Sequence, residues 1–188
     1  MALWLLMAVV IAAPAPRRGQ RAPGPAAQEN LSDEEIARRA NGFLGSIDTP
    51  ISQEQWRALG PRAALVLEPI ISDSDAMPSR RAKALGGLVS AAPDRAALLV
   101  GKLARDDQQP IVVRVAALHG ARSVLHSSKL VAELKPVLDE AGDAGLRGIA
   151  AEVLSHAKGG CTAVRARLER EGADARAAYD RALQRCGE

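Results

Sequence analysis

Arg81, Arg114 and Arg147 lie 33 residues apart. The same offset relates Asp73, Asp106 and Asp139, and also Ala84, Ala117 and Ala150. It relates Leu65, Leu98, Val131 and Val164 as well. One such set could be chance, but four sets in one register describe a repeated unit. A period of this length belongs to chains built from one supersecondary unit stacked on the next. A single unit cannot bury its apolar face alone, three are close to the minimum, and the two ends need caps.

Composition says what the unit is made of. Hydrophobic residues make up 47% of the 188-residue chain but aromatics only 2%, so the apolar content is mainly Ala, Leu and Val. Small side chains let helices approach closely, and they favour helix over strand. No segment alternates with the period of a strand. The expectation is an all-α fold, an α–α superhelix of antiparallel hairpins. First helices are expected over 61–72, 94–105 and 128–139, and second helices over 79–91, 110–125 and 144–157. Pro93-Asp94 and Pro110 mark helix starts. The stretches 73–78, 106–109 and 140–143 read as polar turns. Ser32-Asp33-Glu34-Glu35 is a capping box opening a helix to about residue 47. Ser52-Gln53-Glu54-Gln55 opens a shorter helix that stops at Gly60-Pro61. A last hairpin is expected over 161–171 and 174–185, turning at Gly172. The repeats then fall at about 61–93, 94–126 and 127–159, between an N-terminal cap at 32–60 and a C-terminal hairpin at 160–186.

The pattern Val113-Arg114-x-x-Ala117-Leu118, after an Asp-bearing turn and a Leu-rich helix, resembles a HEAT repeat. Arg81-x-x-Ala84-Leu85 and Leu146-Arg147-x-x-Ala150-Ala151 follow it. The resemblance covers roughly residues 61–159 and is closest to the short, bacterial kind. It implies a ladder between neighbouring repeats, made by Asp73, Asp106 and Asp139 with Arg81, Arg114 and Arg147. Ankyrin repeats share the period, and Glu171-Gly172-Ala173-Asp174 fits an ankyrin turn. Their Thr-Pro-Leu-His signature is absent from every unit. The HEAT-like motif is degenerate, so it specifies a fold better than a partner.

The N-terminal residues read differently. Residues 1–13 are apolar throughout, too short for the roughly 20 residues of a membrane span, and fit a secretory signal peptide without its basic start. Val10-Ile11-Ala12 and Ala13-Pro14-Ala15 are the two candidate cleavage signatures. Residues 14–30 are rich in Pro, Arg and Ala and read as an extended linker. The repeat domain occupies 31–188. The net charge of +3 resides in the leader, because taking away Arg17, Arg18 and Arg21 leaves 22 basic against 22 acidic residues. Nucleic-acid binding needs a net basic surface, and stacking on bases needs aromatics. The folded part is neutral, and its few aromatics, Phe43, Trp56 and Tyr179, are scattered and read as core or cap residues, so no nucleic-acid partner is expected. No stable membrane span is expected in the mature chain.

Cys161 opens the last hairpin and Cys186 closes it. Helices of similar length running out and back bring the two together, which predicts a disulfide in an oxidising compartment. Closing such a loop contributes about 3 kcal/mol, useful in a terminal unit that has a neighbour on one side only. Nucleophile elbows, zinc-protease motifs and phosphate-cradling loops are missing. Asp73-Ser74-Asp75 lacks the rest of a calcium loop and reads as a turn. On the second helices, positions 86, 119 and 152 are equivalent, as are 90, 123 and 156. Gly86, Ser90, His119, Ser123, Glu152 and His156 therefore form a polar stripe. Glu152 and His156 are one turn apart, and His119 occupies the position of Glu152 in the preceding unit. His119, Glu152 and His156 are the candidate metal or anion ligands, against the alternative of a solvated face with a local Glu–His contact. No cofactor and no catalytic residue is expected. The functional expectation is an exported, periplasmic or secreted bacterial scaffold, not an enzyme, that binds another protein along the stack. Weak metal or small-anion binding by the stripe is the alternative, and self-association is a further possibility because short stacks leave end faces uncovered.

Overall fold

A computed structural model describes residues 31–187. The expected signal peptide and linker lie outside the described residues. Of the described residues, 74% are helical and none forms a strand. The all-α expectation holds.

The chain opens with α1 (Asp33–Gly45), capped by the Ser32 hydroxyl, which accepts from the Glu35 amide at 3.2 Å. The reciprocal half of this capping box is not made, because the Glu35 carboxylate is taken by Arg38 and Arg39 one turn later. At α2 (Gln53–Ala58) both halves form: Ser52 Oγ accepts from the Gln55 amide, and Gln55 Oε1 accepts from the Ser52 amide at 2.8 Å. A 3-10 turn over Pro61–Ala63 then leads into α3 (Ala64–Ser72). The second helices follow closely where sequence placed them: α4 (Pro78–Ala91), α7 (Ile111–Val124) and α9 (Ala144–Leu154).

Two expected elements differ. The helix expected over 94–105 is broken into α5 (Pro93–Ala96) and α6 (Val100–Arg105). Between them the bonds tighten to i→i−3, with Leu98 N–H donating to Arg95 O and Leu99 N–H to Ala96 O. The break lets Leu98 face solvent while Val100 is fully buried. The second difference is the early end of α9 at Leu154 instead of 157. Gly159 adopts a φ of +86°, and a Cβ on Gly160 would lie 1.9 Å from the Leu154 carbonyl oxygen. Glycine at both positions lets the chain reverse tightly into α10 (Gly160–Leu168). The remaining elements are α8 (Ser127–Glu140) and α11 (Ala173–Arg185).

Hairpin partners touch as expected: α3 with α4, α6 with α7, α8 with α9 and α10 with α11. Second helices also touch in series, α2 to α4, α4 to α7, α7 to α9 and α9 to α11. One apolar core runs the length of this arrangement. Ala84, Ala117 and Ala150, the alanines in register, are all 0% exposed. A methyl group is what allows helix axes to come within 8–10 Å. Glycine serves the same end at two further positions 33 residues apart. A Cβ on Gly87 would meet the Trp56 ring at 2.8 Å, and one on Gly120 would meet Val89 at 2.9 Å. Among the described residues, no helix is long and apolar enough to cross a membrane.

Candidate functional site

Arg81 and Arg114 tie together the two helices of their own hairpins. Arg81 Nε donates to the Ile71 carbonyl at 2.9 Å, and Arg114 Nε donates to the Ala104 carbonyl at 3.1 Å. These carbonyls are themselves 33 residues apart, at the C-terminal ends of α3 and α6, where helical donors run out. Both side chains are almost fully buried. The Asp–Arg ladder implied by the HEAT resemblance takes another form. Arg81 Nη2 donates to Gln109 Oε1 at 2.6 Å, and Gln109 Nε2 donates to Asp106 Oδ2 at 2.9 Å. Cation and carboxylate of neighbouring units are therefore joined through a glutamine. That bond is the main reason the Asp106 carboxyl is held below the usual range. Asp73 accepts from the Asp75 amide and shapes its own turn. Asp139 pairs with Lys135 on the same helix and lies 3.8 Å from Arg170 of the last hairpin.

Arg147 departs from the pattern. It donates to the carbonyls of Ala141 and Gly142, and its fork meets Glu171 at 2.8 and 2.6 Å. Arg167 approaches the same carboxylate at 3.5 Å. The side chain of Glu171 is 1% exposed, and Arg147 holds its carboxyl down to about 2. The Tyr179 hydroxyl is buried beside this carboxylate without meeting hydrogen-bond geometry, and burial pushes its pKa up. The cluster ties α9 to the final hairpin. Cys161 and Cys186 close that hairpin with a disulfide, their Cα atoms 6.0 Å apart. Both expected partners are thus joined.

The polar stripe is divided. Gly86 and Ser90 of α4 and His119 and Ser123 of α7 do come together, lining one groove of about 370 Å³. Trp56 of α2 forms its far wall, stacked edge-to-face on Phe43 with ring centres 5.0 Å apart. Trp56 is 5% exposed and belongs to the core as well as to this wall. The signal that it borders this face is Gly87, in register with Gly120, each small enough to admit the preceding helix.

Glu152 and His156 do not join His119 as ligands. Glu152 Oε1 accepts from Arg181 Nε at 2.8 Å and lies 2.6 Å from Nη2, so the final hairpin has already supplied its counter-charge. His156 is exposed. Desolvation, then Arg122 and Arg185, lower its pKa, an environment that disfavours its protonation. Among the described residues no three His, Cys, Asp or Glu side chains converge as a metal site. The expected His119/Glu152/His156 ligand set is therefore replaced by an ion pair and a separate histidine. Compared with protein-family models, curated proteins and solved structures, the chain shows no significant match.

Proposed function

We propose that this chain is a non-enzymatic, exported scaffold of HEAT-like repeats that binds another protein along its second helices. The observation that carries the reading is the groove across α2, α4 and α7, which gathers Trp56, Val89 and the exposed His119 and Ser123 on one face. Apolar walls with a few polar edges suit a peptide segment or helix of a folded partner better than a small charged substrate. Serial contact of the second helices supports a short superhelical stack, in which repeated arginine–carbonyl anchors join the two helices of a hairpin and the Arg81–Gln109–Asp106 relay joins one unit to the next. The disulfide supports export, since such bonds persist in oxidising compartments such as the periplasm.

The test is a crosslinked pull-down of the tagged chain from the cell envelope, followed by binding of each recovered protein to the purified chain. Gly86→Arg and Ser123→Arg are the discriminating variants. A Cβ on Gly86 meets nothing within 4 Å, and Ser123 is exposed, so both variants retain the fold. A partner that binds the wild type and loses at least about tenfold in affinity to these variants supports the proposal. Binding that ignores both substitutions, or recovery only with nucleic acid from the cytosol, overturns it.

A further inference from the structure

The three register arginines offer a comparison within one molecule. Arg81 Nη2 donates to the side-chain carbonyl of Gln109 at 2.6 Å. Arg147 sends Nε and Nη2 to the two carboxylate oxygens of Glu171 at 2.8 and 2.6 Å. Arg114, between them, donates through Nε to the Ala104 carbonyl. Among the described residues nothing accepts from either of its Nη atoms. Asp106 is near enough to feel the Arg114 charge, but its oxygens accept from the Gln108 amide and the Gln109 side chain. Arg114 is as deeply set as Arg81, the two being 7% and 5% exposed. Charged donors held out of water are destabilising until an acceptor meets them.

The difference arises one unit further on. Register places Gly142 where Arg81 finds Gln109. Lacking a side chain there, the turns that follow α6 and α8 leave a cleft of about 230 Å³ bordered by Arg114 and Gly142. The same cleft recurs one unit earlier, where Ser72, Arg81, Leu103 and Gln109 hold the positions that Arg105, Arg114, Pro136 and Gly142 hold later. The fold supplies an oxygen acceptor to the Nη side of the first and third arginines and not to the second.

The cleft's chemistry says which acceptor fits. Paired guanidinium N–H groups match the two oxygens of a carboxylate, the pairing that Arg147 makes with Glu171. Pro136 and Val137 add an apolar wall. The exposed acids Asp107 and Glu140 also border the cleft, which disfavours a multiply charged anion. At about 30 Å³ per water, the space suits a short organic group and not a helix.

We propose that Arg114 and the cleft at Gly142 form a binding site for a singly charged carboxylate on a short aliphatic body, either a free acid or a glutamate side chain of a partner. None of its residues lines the groove across α2, α4 and α7, so the site is independent of the partner groove.

The experiment is an NMR titration of the full chain, disulfide intact, following the Arg114 Nε–Hε and Gly142 amide signals. The probes are sodium butyrate and N-acetyl-glutamate N-methylamide, with sodium chloride and sodium phosphate at matched ionic strength as controls. The expected result is a saturable shift with a carboxylate probe and none with either control. Saturation by butyrate assigns a free acid, and saturation by the glutamate amide alone assigns a partner's side chain. The discriminating variant is Gly142→Gln, which gives the second unit the acceptor of the first. Gly142 is not in the positive-φ region and a Cβ there meets nothing within 4 Å, so the variant keeps the fold and its circular dichroism should match wild type. Its dissociation constant for the probe should rise at least about tenfold. The proposal is overturned if neither carboxylate saturates, if chloride or phosphate moves the same signals equally, or if Gly142→Gln binds as tightly as wild type.

Discussion

Arg147 and Glu171 meet fork to fork, 24 residues apart in sequence and on different hairpins, with 1% of the Glu171 side chain exposed. Removing one member of such a pair leaves the other charge buried and uncompensated, which typically costs 3–5 kcal/mol. Arg147 keeps two carbonyl acceptors, so the lower end applies. Glu171→Gln is expected to destabilise the chain by roughly 3 kcal/mol, read from urea denaturation at neutral pH.

The same pair sets the acid limb of stability. Glu171 has its folded pKa lowered from 4.5 to about 2. A carboxylate depressed in this way contributes stability that is complete above the unfolded pKa and is lost as pH falls through the folded one. Wild type should therefore lose stability progressively between pH 4.5 and about 2. Glu171→Gln should show a shallower slope in that window, and parallel curves for the two proteins would refute the assignment.

Cys161→Ser/Cys186→Ser removes the closure of the last hairpin. The loss expected from the unfolded chain's regained freedom is about 3 kcal/mol, seen as a lower melting temperature under non-reducing conditions. The helical signal at low temperature should be retained, since one apolar core runs through the repeats as well as the hairpin.

Two glycines should respond in opposite directions to alanine. At Gly160 the added Cβ would collide with the Leu154 backbone, a cost of at least roughly 2 kcal/mol. Gly42 is exposed within α1 with nothing within 4 Å, so alanine there should stabilise by up to about 1 kcal/mol. Equal effects at the two sites in thermal melts would contradict the packing described.

Zn2+ titration should give no saturable binding through His119, Glu152 and His156. Glu152 is already paired with Arg181, and desolvation, then Arg122 and Arg185, lower the pKa of His156. Calorimetry that detects a site abolished by His156→Ala would refute this.

The second helices were legible because local signals agree with the repeat. Pro78 and Pro110 stand at their starts, and the alanines at 84, 117 and 150 fall where helices must come close. Half of the polar stripe was legible for the same reason: register places Gly86, Ser90, His119 and Ser123 on one face. Register says nothing about what a neighbouring element brings to that face. Arg181 reaches Glu152 from the last hairpin, outside the three repeats, and Glu171 claims Arg147 from the same hairpin. Gln109 was invisible as a relay because the sequence pattern marks the residues it joins, Arg81 and Asp106, and not the spacer between them. Leu65 and Leu98 show the converse. Their spacing identified the unit, but exposure depends on what covers each position: Leu65 and Leu98 are exposed, and Val164 in the same register is fully buried.

The Cys161–Cys186 bond also fixes how the molecule responds to mechanical load. Pulled from its two ends, the chain transmits force across the disulfide and never through α10 or α11. The bridged segment, 25 residues from one cysteine to the other, would otherwise add roughly 80 Å of contour length on unravelling. With the bond intact that length is withheld, and extension must come from the helices upstream. A stretched chain would release the extra length only after reduction, so the last hairpin acts as a covalent stop at one end of the tether.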